Sequence, residues 1–185
     1  YYINVNYAFA DNPPFISMKN GLTNSVASYR RTFTLPEGWN EKRIFLHFDG
    51  IYSAAFVWIN GKYAGYTQGA NNDSEFDVTS LVRTGENNVC VQVFRWSDGS
   101  YLEGQDMWHM SGIHRDVYLF ATPKTFVRDH YISSSLDAGQ QYQSGVMNVE
   151  ITMNNRDKES IEKSVEVTLV SPDGEEVKRQ TVNFS

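Results

Sequence analysis

The sequence predicts an all-β fold made of two sandwich domains, and three observations support this prediction. Apolar and polar residues alternate in many short segments, as they do in strands that bury one face. Turn signals rich in Gly, Pro, Asn and Asp separate these segments at regular intervals. No segment shows a sustained 3.6-residue apolar period, which an amphipathic helix requires. Short strands at regular spacing are typical of a sandwich or jelly roll.

The first four expected strands follow from these signals in order. Residues 27–35 alternate and are rich in Thr, Tyr and Phe, and a Pro-Glu-Gly turn ends the segment. Residues 43–48 place Ile, Leu and Phe on one face. Residues 53–59 are apolar on both faces, which is typical of a strand covered on both sides. The pair at 60–61 is Asn-Gly, a strong hairpin signal, so residues 62–67 are expected to be the returning strand.

The rest of the first domain follows in the same way. Residues 76–82 predict a short strand followed by a single helical turn. Residues 88–94 predict a strand with alternating valines, and residues 117–121 predict the strand that closes the domain. A long segment without helical or strand periodicity, residues 95–117, lies between them. Long irregular segments inside compact β-domains commonly carry function.

A domain boundary is expected near residues 122–124, where a Thr-Pro-Lys sequence precedes a change in composition. The first domain is therefore residues 1–122 and the second is residues 123–185. Beyond the boundary, aromatic residues become rare, and strands are expected at 126–133, 146–153, 163–170 and 177–184. An immunoglobulin-like sandwich needs about seven strands. The second domain is expected to be the start of such a sandwich, which the chain leaves incomplete.

Composition and charge exclude several classes of function. Hydrophobic residues make up 41% of the 185 residues, which is enough for a substantial core. The formal net charge of −6 argues against nucleic acid as a partner, because phosphate binding requires a basic surface. No apolar run is long enough to span a bilayer, so no membrane partner is expected. The single cysteine, Cys90, is expected to be a small buried hydrophobic residue, and both cytoplasm and periplasm are compatible with it.

The segment 95–117 is the strongest functional signal in the chain. It contains four acidic residues, two tryptophans, two histidines and three glycines. Carboxylates can accept hydrogen bonds from sugar hydroxyls, while indole rings can pack against the C–H faces of a sugar. Residue chemistry alone therefore favours a carbohydrate ligand.

Several motifs in and around this segment resemble the sugar-binding domain of glycoside hydrolase family 2, in particular that of the large bacterial β-galactosidases. The principal motifs are WSDGSYLE at 96–103, QDMW at 105–108 and MSGI at 110–113. Supporting motifs are NPPF at 12–15, FDG at 48–50, NGK at 60–62, GY at 65–66, SEFD at 74–77 and RTGEN at 83–87. The resemblance extends from about residue 12 to residue 119.

The resemblance implies a fold and a division of labour. It implies a galactose-binding-like jelly roll followed by the immunoglobulin-like domain. The parent enzyme is implied to hydrolyse β-D-galactosides with retention, using two glutamates on a downstream (β/α) barrel of the same polypeptide. No catalytic residue is expected in this chain, and the chain alone is expected to be inactive. The full-length enzyme is a possible homo-oligomer.

Four site residues are implied by the same resemblance. Asp106 matches an aspartate that contacts the galactose hydroxyls and helps to hold a sodium ion, which suits a carboxylate. Asn24 matches an asparagine that contacts the substrate, although a structural asparagine in a turn is the alternative. Asp98 and Gln68 match ligands of a peripheral magnesium ion, which prefers oxygen donors. The alternative for Asp98 is that it caps a turn, and for Asp106 that it is a solvated loop carboxylate.

Other residues of these motifs have weaker functional claims. Trp96 and Trp108 could stack on a sugar ring, but large aromatics in β-sandwiches are more often core residues. Glu75 and Glu103 are expected to be structural loop acids. Arg115 and its neighbour Asp116 are expected to form an ion pair or a loop anchor.

Two alternative functions stay open at this point. One is a free-standing carbohydrate-binding module, which would bind galactosides by itself. The other is a structural sandwich within a different family 2 hydrolase, a β-glucuronidase or a β-mannosidase. The first alternative predicts that the isolated chain binds galactosides, and the second predicts that altering Asp106 leaves the activity of the full-length enzyme intact.

Overall fold

The structure is a computed structural model that describes Phe9 and residues 12–103, 110–157 and 159–184. These residues form two compact units, which divide between Ala121 and Thr122. Strands dominate both units, so the predicted all-β class is confirmed. Within the described ranges, the helices are too short and too polar to cross a membrane.

The described residues of the first unit form nine strands and one helical turn, and the last strand extends by one residue into the second unit. They are β1 (Val26–Thr34), β2 (Arg43–Phe48), β3 (Ile51–Tyr52), β4 (Ala54–Ile59), β5 (Lys62–Gln68), β6 (Ser74–Asp77), β7 (Glu86–Phe94), α1 (Ser100–Glu103), β8 (Gly112–Ile113) and β9 (Val117–Thr122).

Two sheets form the layers of this unit. The larger sheet has four strands in the order β1-β7-β4-β5, and the smaller has three in the order β6-β2-β9. In the larger sheet, Val57 lies opposite Val91 of β7 and opposite Gly65 of β5. A separate two-residue pair joins β3 to β8, where Tyr52 lies opposite Gly112.

The core lies between these layers. Ala55, Val57 and Ile59 of β4 are fully buried, because alternate residues of a strand point to the same side. They belong to one buried cluster with residues of both sheets, including Leu46 and Phe48 of β2. Burying a side chain as large as Phe48 stabilises the fold by roughly 2–3 kcal/mol.

Sequence-based strand boundaries agree with the structure to within one or two residues in most cases. The expected strand at 53–59 differs, because Ser53 separates β3 from β4. Its amide and its hydroxyl both donate to the carbonyl oxygen of Phe94, at 3.1 Å each. The sequence also missed β8 and the turn α1, since elements of two to four residues are too short to show a period.

The described residues of the second unit form two antiparallel hairpins. Strands β10 (Thr125–Leu136) and β11 (Gly145–Asn155) form the first, with a 3₁₀ turn at Ala138–Gln140. Strands β12 (Lys163–Val170) and β13 (Glu176–Phe184) form the second. None of the described residues after Ala121 is fully buried. The assignment of the second unit as the start of an immunoglobulin-like sandwich stays a prediction.

Candidate functional site

The segment after β7 begins with an ordered turn. Asp98 accepts a hydrogen bond from the amide of Gly99 at 3.0 Å, and the amide of Ser100 donates to the carbonyl of Ser97 at 3.0 Å. The hydroxyl of Ser100 is buried and accepts from the Ser97 amide at 3.1 Å. These bonds lead directly into α1. Asp98 therefore caps a turn, and its role as a magnesium ligand stays a prediction.

Asn24 ties this segment to the chain before β1. Its side-chain nitrogen donates to the carbonyl of Trp96 at 2.8 Å, and its side-chain oxygen accepts from the amide of Trp96 at 3.0 Å. Beside this pair, the amide of Arg95 donates to the carbonyl of Ser25 at 2.9 Å. The Asn24 amide thus completes the backbone bonding of Trp96. This geometry gives Asn24 an anchoring role, and the substrate contact that the resemblance implied stays a prediction.

The Trp96 side chain is part of the packing beneath the segment. Only 4% of Trp96 is exposed, and its ring meets Phe9 edge-on at a centroid distance of 5.3 Å. Phe9 also meets Tyr101 of α1 edge-on at 4.8 Å. A ring so deeply buried cannot offer its face to a sugar. Trp96 is therefore a packing residue, as the base rate for large aromatics in sandwiches indicates.

Tyr101 connects α1 to the NPPF motif. Its hydroxyl donates to the carbonyl of Phe15 at 2.8 Å and accepts from the amide of Asn12 at 3.1 Å. The two motifs are 86 residues apart in the chain but meet in the fold. Tyr101 is a contact that sequence reasoning did not identify.

Gln68 and Asp98, the two residues implied for magnesium, lie in one neighbourhood at the end of β5. The hydroxyl of Tyr66 donates to the side-chain oxygen of Gln68. A Cβ built on Gly99, next to Asp98, would lie 3.6 Å from the side-chain nitrogen of Gln68. Burial raises the pKa of Tyr66, and the Asp98 carboxylate raises it further, so the phenol keeps its proton and can donate.

The donor set at this point fits a hard cation only in part. A carboxylate and an amide oxygen are suitable ligands for Mg²⁺, which usually keeps several waters. Across the residues that the structure describes, no three His, Cys, Asp or Glu side chains are arranged to hold a metal ion. Asp98 and Gln68 would therefore supply at most part of a coordination shell.

Two further side chains fix the loops on either side of the site. The Glu103 carboxylate accepts from the amide of Ala70 at 3.2 Å, which fits its expected structural role. The guanidinium of Arg115 donates to the carbonyls of Asp49 and Asn71 at 3.1 and 3.2 Å. Arg115 is thus a loop anchor, one of the two roles expected for it.

The principal predicted residue, Asp106, lies outside the described residues, as does Trp108. The structure describes the chain up to Glu103 and again from Met110 onward. The substrate and sodium roles of Asp106 therefore stay predictions.

A second polar cluster lies on the outer face of the smaller sheet. The side chain of His47 in β2 lies 3.2 Å from Asp49, 3.7 Å from Asp73 and 4.0 Å from Glu75. The imidazole stacks on Tyr118 of β9 at 4.8 Å. Partial desolvation raises the pKa of Tyr118, and the Asp49 carboxylate raises it further. Sequence reasoning missed this cluster, because only the β2–β6 register reveals that His47 lies opposite Glu75.

Comparison with known proteins identifies relatives for most of the chain. The family model described as "Glycosyl hydrolases family 2, sugar binding domain" matches residues 1–123. A β-galactosidase of Priestia megaterium is 40% identical over 181 residues, which is 95% of this chain and 17% of that protein. A β-galactosidase of Psychromonas ingrahamii is 47% identical over 137 residues, 74% of this chain and 13% of that protein.

Solved structures show the same fold. A β-glucuronidase of Bacteroides uniformis superposes with a TM-score of 0.77 at 25% identity, covering 88% of this chain and 20% of that one. A structure described as a putative β-galactosidase from Bacteroides fragilis superposes with a TM-score of 0.76 at 22% identity, covering 88% of this chain and 25% of that one. The chain spans less than a fifth of the length of the β-galactosidases of Priestia megaterium and Psychromonas ingrahamii.

Proposed function

Because the chain belongs to glycoside hydrolase family 2 and contains the sugar-binding domain of that family, we propose that it is the N-terminal, non-catalytic part of a β-galactosidase. The observation that carries the proposal is the 40–47% identity to curated β-galactosidases over 74–95% of the chain. The parent enzyme would hydrolyse terminal β-D-galactosides. Its two catalytic carboxylates would lie on a downstream barrel and act with retention of configuration.

In this proposal the segment after β7 contributes to the galactoside pocket. Asp106 would accept hydrogen bonds from sugar hydroxyls and serve as an oxygen ligand for Na⁺. Asp98 and Gln68 would supply oxygen ligands to Mg²⁺. The anchoring of α1 by Glu103 and of the later part of the segment by Arg115 supports this proposal, since the described residues on both sides of 104–109 are fixed to the rest of the unit.

Asn24 has a different role in the proposal. It would hold the start of the segment in place through Trp96, and the N–H and lone pair that its amide does not use there would contact the sugar. Positioning residues of this kind matter because a binding group that is displaced by about 1 Å loses much of its effect.

The test uses the full-length parent enzyme. Purified enzyme is assayed with aryl β-D-galactoside, β-D-glucuronide and β-D-mannoside, and Asp106→Asn is compared with wild type. The galactoside should be the preferred substrate. The substitution should lower kcat/KM by a factor that corresponds to a ΔΔG‡ of about 2–4 kcal/mol, as expected for the loss of a charged hydrogen bond in an active site.

Asp173→Asn is the matched control, because Asp173 is exposed in the turn between β12 and β13. It should leave kcat/KM unchanged. A decrease smaller than threefold for Asp106→Asn would remove the substrate role. Preference for the glucuronide would instead support the alternative that the parent enzyme is a β-glucuronidase, a class that also occurs among the structural neighbours.

A further inference from the structure

Two Asn-Gly pairs occur in the sequence, Asn20-Gly21 and Asn60-Gly61. Both lie in turns with positive φ at each residue, at 56° and 70° in the first pair and at 52° and 76° in the second. The dipeptide and its φ angles are therefore nearly the same at the two places. Asn-Gly is a chemically labile pair, because the glycine nitrogen can attack the side chain of the preceding asparagine with no Cβ in the way.

This reaction is intramolecular and ends in the loss of the side-chain amide. The glycine nitrogen bonds to the asparagine Cγ, the Cγ–Nδ2 bond breaks, and ammonia leaves with the proton that the glycine nitrogen gives up. The product is a cyclic succinimide. Water then adds to one of its carbonyls and breaks the bond from that carbonyl to nitrogen, which yields aspartate or isoaspartate. The reaction requires a side chain that can turn towards its own backbone, and it requires no docking surface.

The side chain of Asn20 is free to turn in this way. Asn20 and Gly21 are exposed, and the Asn20 side chain makes no hydrogen bond or ion pair with any residue that the structure describes. The backbone alone closes the turn, through the amide of Leu22, which donates to the carbonyl of Lys19 at 3.1 Å. A Cβ placed on Gly21 would meet no described atom within 4 Å, so this glycine is not crowded.

The side chain of Asn60, by contrast, is held by three hydrogen bonds. Its nitrogen donates to the carbonyl of Leu81 at 2.9 Å and to the side-chain oxygen of Asn87 at 2.8 Å. Its oxygen accepts from the amide of Asn88 at 3.0 Å. Asn87 is only 1% exposed, and all of these partners belong to the first unit. The amide of Asn60 must therefore leave its partners before its Cγ can be attacked.

We propose that Asn20-Gly21 is a site of spontaneous deamidation and that hydrogen bonding protects the equivalent pair at Asn60-Gly61. The modification replaces a neutral amide with a carboxylate, and its isoaspartate form adds a methylene to the backbone. It occurs in the segment that leads to Asn24, whose side chain anchors the site segment. The inference does not depend on the substrate of the parent enzyme, because both pairs react with their own backbone and water.

The test incubates the 185-residue chain in mildly alkaline buffer and follows both pairs by peptide mapping with mass spectrometry, which distinguishes asparagine from aspartate and isoaspartate. Because three hydrogen bonds must break before Asn60 reacts, Asn20 should convert at least about tenfold faster in the folded chain. In the chain unfolded by urea, the two pairs share the same dipeptide and have no fixed contacts. Their rates should therefore become similar.

Two variants complete the design. Asn87→Ala removes one of the partners of Asn60 and should speed the conversion of Asn60 in the folded chain, while the rate at Asn20 stays unchanged. Asn20→Gln is the matched control, because a glutamine would have to close a larger ring. It should stop conversion at this position and leave Asn60 as durable as in wild type.

The wild-type rates decide the inference even if Asn87→Ala fails to fold. A difference that is present in the folded chain and lost in urea is the expected result. Conversion of Asn60 as fast as that of Asn20 in the folded chain would overturn the inference, and so would an Asn20 that stays intact there while it converts in urea. A difference that persists in urea would also overturn it, because the local sequence rather than the fold would then set the rates.

Discussion

Asn24→Ala is the most direct test of how the site segment is held. The substitution removes the two hydrogen bonds, of 2.8 and 3.0 Å, between the Asn24 side chain and the backbone of Trp96. Each such bond contributes about 1 kcal/mol net, and a partly buried amide or carbonyl left unpaired costs about 1–3 kcal/mol. Because water can reach part of this site, we expect the free energy of unfolding to fall by about 2–4 kcal/mol.

Urea unfolding followed by tryptophan fluorescence measures this effect on the first unit. All four tryptophans precede residue 122, so the fluorescence reports on that unit alone. Asn40→Ala is the matched control, because Asn40 is an exposed asparagine of the same unit. A loss for Asn24→Ala within about 0.5 kcal/mol of the control would refute the anchoring role, since that is the usual range for surface substitutions.

Three further outcomes are expected from the packing inside each of the two units. Gly65→Ala should destabilise the first unit by about 1–3 kcal/mol in the same urea assay, because a Cβ there would lie 2.6 Å from the Phe76 ring; unchanged stability would show that the ring moves aside freely. Asn87→Ala should cost about 2–4 kcal/mol, since its buried amide makes four hydrogen bonds to the Asn60 side chain and to the backbone of residues 83 and 85; a cost below 1 kcal/mol would contradict this. Hydrogen exchange measured by mass spectrometry should be faster throughout Thr122–Ser185 than in the core strands of the first unit, because no described residue there is fully buried; equal protection would disprove it.

Local signals in the sequence were sufficient to predict where most of the strands lie along the chain. The Asn-Gly pair at 60–61 requires positive φ at both residues, and both residues have it, at 52° and 76°. Alternation identified β2 and β12 with their observed boundaries. These features depend on neighbours in the chain, and a single sequence contains that information in full.

Contacts between distant segments could not be predicted from the sequence. Asn24 and Trp96 are separated by 72 residues, and nothing local distinguishes an asparagine that bonds a distant backbone from one that binds a sugar. The same reason applies to His47, whose carboxylate neighbours lie on other elements. The resemblance supplied roles for Asp98 and Gln68 without geometry, and the structure adds that Tyr66 joins them.

The anchors on either side of residues 104–109 show how the described parts of the site segment are held in place. Its start is held by Asn24, α1 by the contact from Glu103 to the backbone of Ala70, and its end by the pairing of β8 with β3 and by Arg115. These contacts reach elements of both sheets. Under the proposed function, supports on both sides of Asp106 would reduce the conformational entropy that its carboxylate loses when it accepts a hydrogen bond from a sugar hydroxyl.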